Sequence, residues 1–288
     1  MKKIVILGCE NSHANNFLNF VREGRYPEAD VIGVYSDDTA AAEKLHNEYG
    51  VYVMKTFDEF VGTADSVIVT ARHGDNHYKY AAPYIATGVP MFMDKPITIL
   101  EDEALRMVRE MQAAGVRVTG GSTCKHDAFV QQLKKDTAAE TDGKTLGGTV
   151  RAPINLKNDY GDFWFYSQHL AEVEGEIFGR YPVSVQAFKN DKKITVVFRH
   201  ENYDVTGLYV DGNYSYYADR HHEKGVTGGP LNIGRECSMA EFDEYYDLLL
   251  GGEQKITYAD LIAPVFVLNA IERSLASGKE EPVHTFEI

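Results

Sequence analysis

Lys2-Lys3-Ile4-Val5-Ile6-Leu7-Gly8-Cys9-Glu10-Asn11-Ser12-His13-Ala14-Asn15-Asn16-Phe17-Leu18-Asn19-Phe20-Val21 opens the chain as a short apolar run, a polar turn and an amphipathic pattern. The β-branched run at 4–7 predicts a strand. Ala14, Phe17, Leu18 and Val21 recur at i, i+3, i+4 and i+7, which predicts a helix with one apolar face, and Asn11 or Ser12 can cap it. Strand, turn and helix in that order are the first unit of a sheet whose crossovers are helices.

The same alternation continues outward. Apolar runs at 31–34, 51–54, 66–70, 91–93 and 116–119 are separated by helical patterns, so the expected fold is a six-stranded, doubly wound parallel sheet of Rossmann type. It occupies residues 1–121. Past Gly120-Gly121 the pattern becomes a helix at 125–135, a polar stretch at 137–148, and short strands near 149–156, 183–188, 194–198, 205–210 and 214–217. Asn190-Asp191 and Asp211-Gly212 read as hairpin turns. With helices at 238–250 and 258–277, residues 122–288 are expected to form an α+β domain on a predominantly antiparallel, open-faced sheet. Its Tyr-rich strands suit sheet packing or a subunit interface. Two domains also accord with a length of 288 residues.

Composition excludes several classes of function. Lys and Arg total 29 against 43 Asp and Glu, a net charge of −14, which opposes binding to nucleic acid or anionic lipid. No apolar stretch approaches a membrane span, and the opening run is too short for a secretory signal, so a soluble protein is expected. Cys9, Cys124 and Cys237 form no CxxC or zinc-like spacing, which fits a reducing cytoplasm. Asp75, His221 and His222 follow no metal-ligand spacing, and no metal site is expected.

The turn at 8–13 lies where a dinucleotide pyrophosphate meets a helix amino terminus. The usual fingerprint wants glycine at 8, 10 and 13, and only Gly8 satisfies it. Glu10 would repel phosphate unless its side chain turns away. Asp37, ending the second strand, can accept from both adenosine ribose hydroxyls and reject a 2′-phosphate, which favours NAD over NADP. Asp37 or Asp38 also reads as the cap of a helix starting near Thr39.

Three further stretches resemble the Gfo/Idh/MocA (glucose-fructose oxidoreductase / inositol dehydrogenase) family. They are Asp65-Ser66-Val67-Ile68-Val69-Thr70 followed by His77, Gly88-Val89-Pro90-Met91-Phe92-Met93-Asp94-Lys95-Pro96, and Ala270-Ile271-Glu272-Arg273-Ser274 with Gly278. Asp94-Lys95-Pro96 stands where the family has Glu-Lys-Pro. The resemblance implies an NAD(P) domain held by Gly8, Glu10, Asn11, Ser12, His13, Asp37, Thr70, His77, Asp94, Lys95 and Pro96. It also implies hydride transfer at a secondary alcohol of a sugar or polyol.

The family's second element, Asp-x-Gly-x-His, corresponds here to Phe165-Tyr166-Ser167-Gln168-His169. His169 carries over, while Phe165 replaces the acid and Ser167 the glycine. The implied catalytic pair is Lys95 and His169, with Lys125 and Tyr166 as further substrate contacts and the segments 158–164 and 220–231 setting specificity. A helical His is equally readable as structural, and Glu172 or Tyr166 can be its neighbours. The implied assembly is a homodimer or homotetramer, and the partner a small-molecule substrate. Two other readings stay open: a non-catalytic ligand-binding relative with a degenerate nucleotide loop, and an enzyme using transient oxidation for elimination.

Overall fold

The computed structural model describes all 288 residues. It divides into two compact units. One comprises Met1–Gly121 with Ser238–Ile262 and Ile288, the other Ser122–Cys237 with Ala263–Glu287.

The first unit alternates strand and helix: β1 (Lys2–Leu7), α1 (Ser12–Arg22), β2 (Ala29–Tyr35), α2 (Thr39–Tyr49), β3 (Ser66–Val69), α3 (Asp75–Ile85), β4 (Met91–Asp94), α4 (Glu101–Ala114) and β5 (Val118–Gly121). The strands form a parallel sheet in the order β2-β1-β3-β4-β5. β3, β4 and β5 are buried throughout, which is why β3 and β4 read as nearly continuous apolar runs.

The sheet has five strands and not the six expected. Residues 51–54 contribute only a bridge between Val34 and Val53. The Glu59 carboxylate accepts from the Lys55 N–H at 2.6 Å and the Tyr52 hydroxyl at 2.9 Å, turning the chain aside before a ladder can extend.

α1 buries Ala14, Phe17 and Leu18, as its spacing predicts, and Phe20 as well. Phe17 sits against Phe92 of β4 at 5.2 Å and Phe242 at 4.9 Å between ring centroids. Phe242, Tyr245 and Leu249 come from α7 (Arg235–Leu249) and join this core. Assigning all of 122–288 to the second domain is therefore corrected: residues 238–262 group with the first. Their aromatic side chains, spaced three and four apart, cover the α1 face of the sheet, and the Tyr245 hydroxyl donates to Ser66 Oγ at 2.8 Å.

The second unit begins with a 3-10 turn at Thr123–His126. Then follow α5 (Ala128–Ala138), β6 (Thr145–Ile154), α6 (Phe163–Phe178), β7 (Ser184–Asn190), β8 (Lys193–Arg199), β9 (Asp204–Asp211), β10 (Tyr216–His222), β11 (Gly225–Leu231), α8 (Tyr258–Ser277) from Ala263 onward, and β12 (Glu281–Pro282). Asp127 accepts from the N–H groups of Phe129 and Val130, so the helix expected at 125 starts only after this cap.

The sheet order is β11-β10-β6-β9-β8-β7-β12, antiparallel except for the parallel pair β6 and β9. Asn190-Asp191 does turn β7 into β8. Asp211-Gly212 does not join neighbouring strands, because the ten-residue β6 inserts between β9 and β10. Residues 220–231, expected as a specificity loop, are mostly the β10–β11 pair. Arg220 is buried there and donates to Thr145 Oγ1, Thr141 O and Gly143 O at 2.7–2.8 Å, a structural tie.

No helix is long and apolar enough to cross a membrane. No group of three or more His, Cys, Asp or Glu is arranged to hold a metal ion.

Candidate active site

In the first unit the loops at the carboxyl ends of β1, β2, β3 and β4 carry most of the candidate residues. The order β2-β1-β3 places the switch point of the sheet beside β1, where ligands of such folds collect. Gly8 holds φ +78°, and a Cβ there would lie 2.3 Å from the Ala71 backbone. Only glycine lets the β1 loop meet the β3 loop this closely. The Thr70 hydroxyl donates to Gly8 O at 3.0 Å, and His77 Nε2 lies 2.7 Å from Ala71 O. Both side chains thus brace the same crossing.

Asn11 caps α1 by accepting from the His13 N–H, and its Nδ2 donates to Asp94 Oδ2 at 3.0 Å. Ser12 Oγ donates weakly to Asn11 Oδ1 at 3.4 Å. His13 Nδ1 lies 3.0 Å from Asp94 Oδ2, and the Lys95 N–H donates to Asp94 Oδ1 at 2.8 Å. Burial pushes the Asp94 carboxyl up, but the charge and hydrogen bond of His13 and the charge of Lys95 outweigh it and hold the group below its usual range. Burial pushes His13 down, and the Asp94 carboxylate more than reverses this, so its pKa is raised. The two form a buried ion pair joining the start of α1 to the end of β4. Lys95 is itself buried, and the Lys95–Pro96 peptide is cis.

Asp38 caps α2 by accepting from the Ala41 N–H, which leaves Asp37 outside the cap. Asp37 accepts from the Tyr35 hydroxyl at 2.7 Å and from Lys79 at 3.2 Å. The Tyr35 bond is the main cause of a pKa held below the ordinary carboxylate value. Glu10 turns toward the neighbouring loops: Ser36 Oγ donates to Oε2 at 2.7 Å and the Arg72 N–H to Oε1 at 2.9 Å.

These residues fit a dinucleotide at two ends. The amino terminus of α1 has no acid in its first turn, so its dipole can meet pyrophosphate. Asp37 presents an ionised carboxylate beyond β2, suited to ribose hydroxyls. Gly8 supplies the tight turn.

In the second unit His169 lies on α6, buried on nearly all sides. Its Nδ1 shares a hydrogen bond with Ser122 Oγ at 2.7 Å and lies 3.4 Å from Cys124 Sγ. Ser122 Oγ in turn accepts from the Cys124 N–H. Tyr166 and Tyr216 flank the imidazole with ring centroids at 5.1 and 6.3 Å, and Tyr214 packs on Tyr166 at 5.8 Å.

Phe165, in place of the family's acid, packs on Tyr160 and Tyr166. Ser122 and Cys124 thus provide the polar contacts to the ring that a carboxylate would otherwise give. Sequence reading missed Ser122, and it assigned Tyr214 and Tyr216 to sheet packing or a subunit interface. Their only signal was a Ser directly after Gly120-Gly121, which end β5, and Tyr at alternate positions.

Lys125 is buried, with Nζ 3.6 Å from Glu172 Oε1, a carboxylate shared with Arg180 at 3.5 Å and with Gln168 Nε2 at 3.0 Å. Its charge is therefore balanced within the protein. Glu172, expected beside His169, serves this network.

Residues 2–122 match the family model of the Gfo/Idh/MocA oxidoreductases with an NAD-binding Rossmann fold. No curated protein sequence matches. Among solved structures, the chain is similar over 99% of its length to 99% of apo scyllo-inositol dehydrogenase from Lactobacillus casei, at 14% identity and TM-score 0.85. It is similar over 98% to 99% of myo-inositol 2-dehydrogenase from Lactobacillus plantarum, at 14% identity and TM-score 0.83. It is similar over 99% to 97% of the WlbA dehydrogenase from Chromobacterium violaceum, a complex with NADH and UDP-GlcNAcA, at 16% identity and TM-score 0.82. At such identities the likeness is one of fold, extending over both units. The amino-terminal part of the chain, residues 2–122, is thus similar to the NAD-binding domain of the Gfo/Idh/MocA oxidoreductases.

Proposed function

We propose that the protein is an NAD-dependent oxidoreductase acting on a secondary alcohol of a sugar, polyol or related hydroxy compound. The observation that carries this reading is the end of β4. Asp94 is fixed by Asn11 and His13 of the nucleotide-type loop, and Lys95 follows it, buried, at the carboxyl end of a parallel strand. A structural surface lysine would have no reason to be set there.

A bound nicotinamide supplies the hydride acceptor or donor. The rest falls to the chain's own residues. Lys95 donates to the alcohol oxygen and steadies the charge that develops on it. His169, in the second unit and held by Ser122 Oγ at 2.7 Å, is on the family resemblance the candidate for proton transfer. Tyr166 and Tyr216 give the ring an aromatic surround on which the apolar face of a sugar can rest. Asp37 favours NAD, since an ionised carboxylate repels a 2′-phosphate. A homodimer or homotetramer goes with this reading on the family resemblance, and light scattering at micromolar concentration tests it.

The direct test is calorimetry and thermal unfolding with NAD(H) and NADP(H), followed by turnover on a panel of polyols and sugars. Binding with turnover that disappears in Lys95→Ala is expected. No binding heat and no protection by either cofactor would end the proposal. A non-catalytic relative is the second reading, favoured by Glu10 lying across the loops and by Phe165. Lys95-dependent turnover decides against it.

A further inference from the structure

Glu10 has no part in the chemistry just described, and its side chain is held more firmly than a solvent-facing loop residue requires. One carboxylate oxygen accepts from Ser36 Oγ at 2.7 Å, beyond the end of β2, and the other from the Arg72 N–H at 2.9 Å, beyond the end of β3. Glu10 itself follows β1, which lies between those two strands in the sheet. A single side chain therefore bridges three adjacent strand ends and spans the crevice where the sheet order reverses, the place where a ligand of such a sheet enters. The two donors are a hydroxyl and a backbone N–H converging on one oxyanion. They are equally suited to the oxygens of a phosphate, the group that a nucleotide brings to this crevice.

Resting on the proposed function, we infer that Glu10 is an internal occupant of the phosphate seat in the dinucleotide crevice. It sets cofactor affinity by having to be displaced. The ligand must break two hydrogen bonds that the apo chain already satisfies, and must enter beside a carboxylate whose charge opposes its own. The chain thus binds dinucleotide more weakly than a loop with glycine at this position would. The seat is restored without leaving unpaired donors whenever cofactor departs. This gives a role to the residue at which the loop departs most from the glycine fingerprint.

The test is calorimetric titration of the full-length wild type, Glu10→Gly and Glu10→Gln with NADH, ADP and adenosine, with unfolding midpoints to show that each variant is folded. Glu10→Gln keeps the shape of the side chain and guards against a loop collapse in Glu10→Gly. The expected result is a gain of tenfold or more in affinity for NADH and ADP in both variants, with adenosine little changed. Equal affinities in wild type and variants overturn the inference while leaving the NAD-dependent reading standing. A gain of the same size for adenosine also overturns it, by placing the effect on the ribose. Absence of binding by wild type and both variants overturns the inference and the proposed function together.

Discussion

His13 Nδ1 and Asp94 Oδ2 lie 3.0 Å apart in the buried junction between α1 and β4. The raised pKa of His13 and the lowered pKa of Asp94 make this pair a pH-dependent contribution to stability. His13 contributes fully below its unfolded value of about 6.5 and loses that contribution as pH rises through its raised folded value. Asp94 contributes above about 3.9 and loses it as pH falls through its lowered value. Urea unfolding should therefore show the pair at full strength between about pH 4 and 6.5, with a decline above. His13→Asn should be less stable by about 3 kcal/mol at pH 6, because it leaves Asp94 buried without its cation, and should lack the decline. A wild type and variant with parallel pH profiles would contradict this account.

Gly8 and Gly24 separate backbone strain from steric collision. Both have positive φ, +78° and +76°, but a Cβ at Gly8 would strike the Ala71 backbone at 2.3 Å while one at Gly24 meets nothing within 4 Å. Gly24→Ala should cost about 1 kcal/mol from the left-handed conformation alone. Gly8→Ala should cost about 3 kcal/mol or more, since two backbone segments must part. Denaturant midpoints of the two variants measure the difference, and equal costs would remove the close crossing from the explanation.

Ser122 is a positioning residue for His169 under the proposed function. Ser122→Ala should lower kcat by about tenfold or more with KM little changed, and should shift the pH at which activity rises. Ser122→Thr, which keeps the hydroxyl, should restore most of both. A loss that Thr does not rescue, with an unaltered pH profile, would mark the hydroxyl as packing only.

Asp37 bears on cofactor choice. Asp37→Asn removes the charge that repels a 2′-phosphate and also weakens the pairing with Lys79. The variant should lose about tenfold in affinity for NADH and gain relative affinity for NADPH. Titration with the two reduced cofactors reads this ratio, and an unchanged ratio would separate Asp37 from the ribose.

Much of the first unit was legible because its signals are local. The strand at β1, the apolar face of α1 and the cap at Asn11 each follow from residues within a turn or two of one another. The run at 51–54 misled because Glu59, eight residues beyond Val51, turns the chain away. No apolar pattern records that. Lys95 and His169 were picked out by motif, and the geometry adds what surrounds them: Asp94 tied to Asn11 and His13, and Ser122 against the imidazole.

The sequence by itself determined the parallel, helix-crossed character of the first sheet and the presence of a second, mostly antiparallel one. Periodicity and short motifs are properties of neighbouring residues. Only the tertiary structure decided that residues 238–262 complete the first core, that β6 runs between β9 and β10, and that Glu10 is held by Ser36 and Arg72. Each of these joins residues tens to hundreds of positions apart, and the chain reaches them only by closing long loops whose entropy is repaid by burial and hydrogen bonds that local pattern does not encode.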